Sequence, residues 1–216
     1  MKQAICVDVD DVLLSWFSAF NKWMKDHGFI QIREKPTGWA LENMWRGMDA
    51  QQIDYLIELF ARSPSFETLF PVKGAPEGMR ELQRRLPDHE VILVSACGVH
   101  PLTIERRIRN LQGSYRFDKF IPLPLGSTKK GVFAELPPNS IIIEDSASQA
   151  LEALELDKYL QVIMLTTPGN YAFRSDSPYF TRVAAWSDIP QLFPEPEPDP
   201  EKESEPEPKL EVLDVA

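Results

Sequence analysis

Two aspartates, Asp8 and Asp10, stand one residue apart, directly after the apolar run Ile5-Cys6-Val7 and just before Asp11-Val12-Leu13-Leu14. Carboxylates this close at the end of a buried strand repel one another and are costly to desolvate, and a cation between them relieves both penalties. A divalent metal bound through hard oxygen ligands is the usual compensation. The chemistry such a pair would support is phosphoryl transfer with Mg2+. Three further positions extend the pattern. Ser95 closes the run Val91-Ile-Leu-Val94, where its hydroxyl either donates to a phosphoryl oxygen or caps the helix that follows. Lys130 opens a helical pattern, Lys130 to Leu136, where a lysine can neutralise a bound phosphate, with Lys129 as the competing candidate. Asp145 follows Ile141-Ile-Ile-Glu144 and precedes Ser146, so it is either a helix cap or a metal ligand facing Asp8. Its place at the end of an uninterrupted apolar run favours the ligand.

The elements that must position these side chains are short. Strand-length apolar runs recur at Ile5–Val7, Val91–Val94, Ile141–Ile143 and Val162–Leu165, with a weaker one near Phe120–Leu123 that Pro122 and Pro124 interrupt. None alternates polar with apolar, as expected of strands buried on both faces of a parallel sheet. Helical patterns lie between them: Met79, Leu82 and Leu86 form one stripe, and Ala150, Leu151 and Leu154 another. The expectation is an α/β fold with a doubly wound parallel sheet, in which ligands bind beyond the carboxyl ends of the strands. Asp8, Ser95 and Asp145 all fall at or near such ends.

Residues 16–70 break the alternation. They read as mostly helical, are rich in aromatic residues, and are taken as a small helical cap inserted after the first strand, with Pro71-Val-Lys-Gly-Ala-Pro76 marking the return to the sheet. The catalytic core is then expected over 1–15 and 71–193. From Pro194 to Pro208 acids alternate with proline, a composition that buries too little apolar surface to fold, so 194–216 is expected to be a disordered acidic tail. Residues 209–216 are more apolar, with a docking peptide as the alternative, and this tail is the candidate contact for a protein partner.

The formal net charge is −10, of which about −7 lies from Glu195 onward by count of nine acids and two lysines. A nearly neutral body offers no clustered Lys and Arg for duplex nucleic acid. Cys6 and Cys97 are too few for a disulfide framework and lack metal-ligand spacing. The start reads as a strand rather than a signal peptide, and no apolar run approaches the roughly 20 residues that span a bilayer. A cytoplasmic protein without membrane contacts is expected.

Taken in order, Asp8-Val-Asp10-Asp-Val, Ser95, Lys130 and Glu144-Asp145 resemble the four motifs of the haloacid dehalogenase superfamily, across nearly all of residues 1–190. The insertion between the first two motifs resembles that superfamily's C1 cap, on a Rossmann-like core. The resemblance implies that Asp8 is the nucleophile that forms an aspartyl-phosphate, and that Asp10 protonates the leaving oxygen and then activates water. It implies Mg2+ held by Asp8, the Asp10 carbonyl and Asp145, with Ser95 and Lys130 on the phosphoryl oxygens and Glu144 behind the metal. The dehalogenase branch needs no second aspartate to protonate an alkoxide, so Asp10 argues for a phosphatase.

The segment Phe66 to Gly98 resembles the 5'(3')-deoxyribonucleotidase branch, which implies a nucleoside monophosphate as the small phosphorylated substrate. A sugar phosphate or other metabolite is the alternative, as is a non-catalytic module that recruits partners through the acidic tail. Two positions depart from the nucleotidase pattern: Ala96-Cys97 follows Ser95 in place of a second hydroxyl, and Glu144 stands where aspartate is usual. Trp16, Phe17, Phe20 and Trp23 recur at helical spacing and read as core. Trp39 and Trp45, in less regular sequence, are the expected pocket lining.

Overall fold

The computed structural model describes residues 2–34, 40–156 and 158–195. Six parallel strands form one sheet: β1 (Ala4–Asp8), β2 (Glu90–Ser95), β3 (Lys119–Pro122), β4 (Ile141–Glu144), β5 (Gln161–Leu165) and β6 (Phe180–Val183), in the order β3-β2-β1-β4-β5-β6. The expected doubly wound α/β architecture is present. β1 lies at the centre, between β2 and β4, with Asp8 level with Val94 and Val7 level with Ile143. That register brings the carboxyl ends of β1, β2 and β4 together, and with them Asp8, Ser95 and Glu144.

Strand side chains alternate between two apolar layers, as a period of two requires. Ile5, Val7, Leu93, Ile143 and Ile163 join one, and Ala4, Cys6, Ile92, Val94, Ile142 and Val162 the other. Helices α3 (Ala75–Arg85) and α4 (Pro101–Gln112) supply Met79, Leu82 and Leu111 to the first layer, while α5 (Lys130–Glu135) and α6 (Ala147–Leu154) supply Phe133, Ala150 and Ala153 to the second. Leu151 departs from its expected stripe and is 47 % exposed, because Ala153 takes the inward position instead. Pro122 ends the edge strand β3, where a missing N–H costs no ladder bond inside the sheet.

Residues 16–70 contribute helix α1 (Trp16–Asp26), helix α2 (Ala50–Ala61) and short 3-10 turns at Leu41–Met44 and Pro64–Thr68. Asp49 starts α2 through a reciprocal capping box with Gln52, at 2.8 and 3.0 Å. An aromatic chain ties these pieces together: Trp16 stacks on Phe20 at 5.1 Å, Phe20 meets Phe60 at 5.5 Å, and Phe60 meets Phe66 at 5.6 Å. These side chains continue the first apolar layer of the sheet. The acidic segment from Pro196 onward lies outside the described residues, as does Trp39.

Candidate active site

A turn after β1 aims the first acids. Asp11 adopts the left-handed conformation at φ 59°, which aspartate tolerates better than most residues, and its carboxylate accepts the Phe17 amide at 3.0 Å to start α1. Behind the turn, buried Trp186 Nε1 donates to the Val12 carbonyl at 2.7 Å and Tyr115 Oη donates to the Leu13 carbonyl at 2.6 Å. The turn that follows Asp8 and carries Asp10 is therefore fixed by side chains from distant elements, as a preorganised site requires.

Asp8 lies at the floor of a cavity of about 430 Å³ beyond the strand ends. Lys129 Nζ reaches both Asp8 Oδ1 and Glu144 Oε2 at 2.6 Å. Glu144 uses its other oxygen to accept the backbone amides of Asp145 and Ser146, at 3.2 and 3.0 Å. Asn170 holds the same turn from below, donating to the Asp145 and Leu165 carbonyls at 2.7 and 2.8 Å. Asp8, Glu144 and Asp145 each offer a carboxylate oxygen, all within 4.8 Å of one another.

Three buried carboxylates share one ammonium. Burial alone would push the Lys129 amine toward neutrality, but Asp8 and Glu144 outweigh it and hold the charge in place. The surplus negative charge remains with the acids. Burial and then Glu144 push Asp8 above the usual carboxylate range, and burial and then Asp8 push Asp145 the same way. With all three acids ionised, the cluster carries two uncompensated negative charges. An all-oxygen donor set with that deficit fits a hard divalent cation such as Mg2+.

Asp10 also lines the cavity, and both of its oxygens are engaged. Oδ2 accepts the Ser95 hydroxyl at 2.7 Å, and Oδ1 accepts Arg107 Nη2 at 2.5 Å. Arg107 is fully buried on α4, with its guanidinium 4.1 Å from the centre of the Phe66 ring. Trp16, Leu41, Ile57 and Phe66 add an apolar lining to the same cavity, which Asp54 also lines.

No protein-family profile and no curated protein matches this chain by sequence. Solved structures do match. A dehalogenase in an intermediate complex superposes with a TM-score of 0.59 at 13 % identity, covering 89 % of this chain and 97 % of the other. L-2-haloacid dehalogenase from Xanthobacter autotrophicus, with chloropropionic acid covalently bound, gives 0.55 at 14 % identity over 89 % and 98 % of the two chains. CbbY from Rhodobacter sphaeroides, in complex with xylulose-(1,5)-bisphosphate, gives 0.53 at 14 % identity over 88 % and 96 %. The chain has the haloacid dehalogenase fold.

Within that fold, Asp8, Asp10 and Asp145 line one cavity, and Ser95 is bonded to Asp10. Lys130 is the exception. It lies outside the cavity and pairs with Glu155 at 3.6 Å, with both side chains about half exposed. Lys129, the residue before α5, turns inward instead; its amide donates to Gln149 at 2.7 Å and its side chain enters the acid cluster. The lysine assignment is corrected accordingly. Glu144 lies among the acids rather than only behind them, and Asp10 directs its side chain to Arg107 and Ser95. The aromatic expectation also fails in part: Trp45 is buried in the core, 2 % exposed, whereas Trp16 from the supposed core stripe lines the cavity. Arg107 and Asn170 escaped the sequence reading. Thr103, Arg107 and Leu111 are the buried positions of α4 at steps of four, so an arginine at a core position was the available signal for the first. Asn170 sits in a turn-rich stretch that carries no such signal.

Proposed function

We propose that this protein is a Mg2+-dependent phosphomonoester hydrolase that works through an aspartyl-phosphate on Asp8. The carrying observation is the buried cluster of Asp8, Glu144, Asp145 and Lys129, in which three carboxylates stand beside one ammonium, with Asp10 in the same cavity. Asp8, the Asp10 carbonyl and Asp145 would hold the metal, which when bound neutralises phosphoryl charge as the ester oxygen departs. Asp8 attacks phosphorus, and the P–O bond to the leaving group breaks as Asp10 gives that oxygen a proton. Asp10 then takes a proton from the water that cleaves the acyl phosphate, which returns Asp8 as a carboxylate and releases phosphate. Lys129 orients Asp8 and opposes the burial that favours its protonated form, and the Glu144 bonds hold Lys129 and the Asp145 turn.

The apolar lining formed by Trp16, Leu41, Ile57 and Phe66 supports a leaving group with a flat, weakly polar face, and the residue 16–70 segment acts as the cap that selects it. A nucleoside monophosphate meets that description, because every base has a face that stacks. The competing chemistry is displacement of halide from a 2-haloacid: one structural neighbour is a dehalogenase, and another is an L-2-haloacid dehalogenase with chloropropionic acid covalently bound. Asp10 distinguishes the two, because halide leaves without a proton. The test is phosphate release from nucleoside monophosphates and sugar phosphates beside halide release from 2-haloacids, each with Mg2+ and with EDTA. Metal-dependent phosphate release, lost in Asp8→Asn, supports the proposal; halide release without phosphate release overturns it.

A further inference from the structure

We propose that Arg107 is the positioning residue of the acid–base step: it pins Oδ1 of Asp10, so that Oδ2 is the oxygen that passes the proton. The inference rests on the reading above, in which Asp10 serves that step. Its basis is the asymmetry of the two contacts. Arg107 donates to Oδ1 at 2.5 Å, and a guanidinium is a permanent donor that neither accepts nor loses a proton. A proton on Oδ1 would face that donor. Ser95 donates to Oδ2 at 2.7 Å, but a hydroxyl rotates and both donates and accepts, so it tolerates Oδ2 with or without a proton.

The surroundings fix this arrangement. Arg107 is fully buried, and its Nε and Nη1 have no hydrogen-bond partner among the described residues, so Asp10 is the only acid it pairs with there. Phe66 covers the guanidinium face at 4.1 Å. One turn before Arg107, Thr103 on the same helix donates to the Ala61 carbonyl at 3.3 Å at the end of α2. The arginine thus joins three parts of the chain: the turn after β1, helix α4, and the 16–70 segment through Phe66. A buried cation with a single acidic partner is a costly way to gain stability. It is an effective way to fix one carboxylate edge toward a cavity.

The assay is kcat/KM for a series of phosphate monoesters, from p-nitrophenyl phosphate to alkyl phosphates, with Mg2+. The proteins are wild type, Arg107→Lys, Asp10→Asn and the double variant, each checked for folding by circular dichroism. A good leaving group departs without a proton, so a fault in proton delivery shows only with poor ones. Arg107→Lys is expected to lower kcat/KM about 10²-fold for alkyl esters and only a few-fold for p-nitrophenyl phosphate. In the Asp10→Asn background it should cause no further loss. Equal losses across all leaving groups, or losses that multiply in the double variant, would overturn the proposal while leaving the hydrolase reading intact. A wild type that hydrolyses no ester overturns both. If Arg107→Lys does not fold, Arg107→Met removes the donor to Oδ1 and leaves an apolar side chain of similar length against Phe66. It should show the same dependence on leaving group, and a uniform loss there overturns the assignment.

Discussion

Replacing Lys129 by methionine should damage the fold far more than replacing its neighbour Lys130 by alanine. Lys129 Nζ lies 2.6 Å from Asp8 and 2.6 Å from Glu144, in a site where its side chain is 5 % exposed. At an effective dielectric near 20, each contact is worth roughly 6 kcal/mol before desolvation is subtracted. Burying the ammonium offsets much of that, and removal of one partner from a buried charge cluster typically costs about 3–5 kcal/mol. At about 2–4 °C per kcal/mol for a chain of this size, the melting temperature should fall by about 6–20 °C. Lys130 is about half exposed and 3.6 Å from Glu155, so its removal should cost about 0–1 kcal/mol. The pH dependence has a definite sign. Asp8 and Asp145 already lie above the ordinary carboxylate range, and losing the cation raises them further. A raised acid in the folded state favours folding at low pH and loses that benefit as pH rises through the raised value. The Lys129→Met deficit is therefore smallest below pH ~4 and widens toward neutrality. Urea denaturation of both variants and wild type across that range, without metal, is the assay. A Lys129→Met stability within about 1 kcal/mol of wild type at neutral pH, or a deficit that shrinks as pH rises, would refute the charge account of the cluster.

Four other outcomes follow from the same geometry. Mg2+ at a hundred times its dissociation constant should raise wild-type stability by about 2.7 kcal/mol, and Asp145→Asn should abolish most of that gain in a thermal melt. An unchanged response would remove Asp145 from the metal site. Gly78→Ala ordinarily favours a helix by about 1 kcal/mol, but here the new methyl would lie 2.8 Å from Trp186 Cε3 in the core. Overpacking of about 1–3 kcal/mol should win, so a melt that rises would contradict the packing described. Burial pushes the Cys6 thiol up to about 12, so at pH 8 it should not react with a disulfide reagent until the protein unfolds. Rapid labelling of Cys6 in the native state would contradict that burial. Removing residues 196–216 should leave turnover unchanged, and a large loss of activity would give the acidic segment a role in catalysis.

The sheet was readable in the sequence wherever burial is complete. β1, β2, β4 and β5 are each buried along almost their full length and appear as unbroken apolar runs. β6 was missed because it is an edge strand with half-exposed positions, and its Phe-Thr-Arg-Val carries no run to detect. The acids were legible because they sit at strand ends, where sequence position alone fixes spatial position. Choosing between adjacent lysines was beyond that logic. One residue of difference at the start of α5 decides whether a side chain meets the acid cluster or solvent, and composition is blind to it. Arg107 was hidden for the opposite reason: its partner Asp10 is 97 residues away, and only the pairing of β1 with β2 and the return of α4 bring them together. The tryptophans failed through their surroundings. Trp45 lies in irregular sequence yet packs into the core, while Trp16 opens a regular helix whose first turn borders the cavity.

The central claim is that phosphate passes through Asp8. Acid quenching during turnover of a phosphate monoester with Mg2+, followed by peptide mass spectrometry, tests it most directly. The account predicts the mass of one phosphoryl group on the peptide that holds Asp8, removed by hydroxylamine as an acyl phosphate should be, and absent in Asp8→Asn. Sustained phosphate release by the wild type with no label on Asp8 at any quench time, or release of the same size by Asp8→Asn, would contradict it.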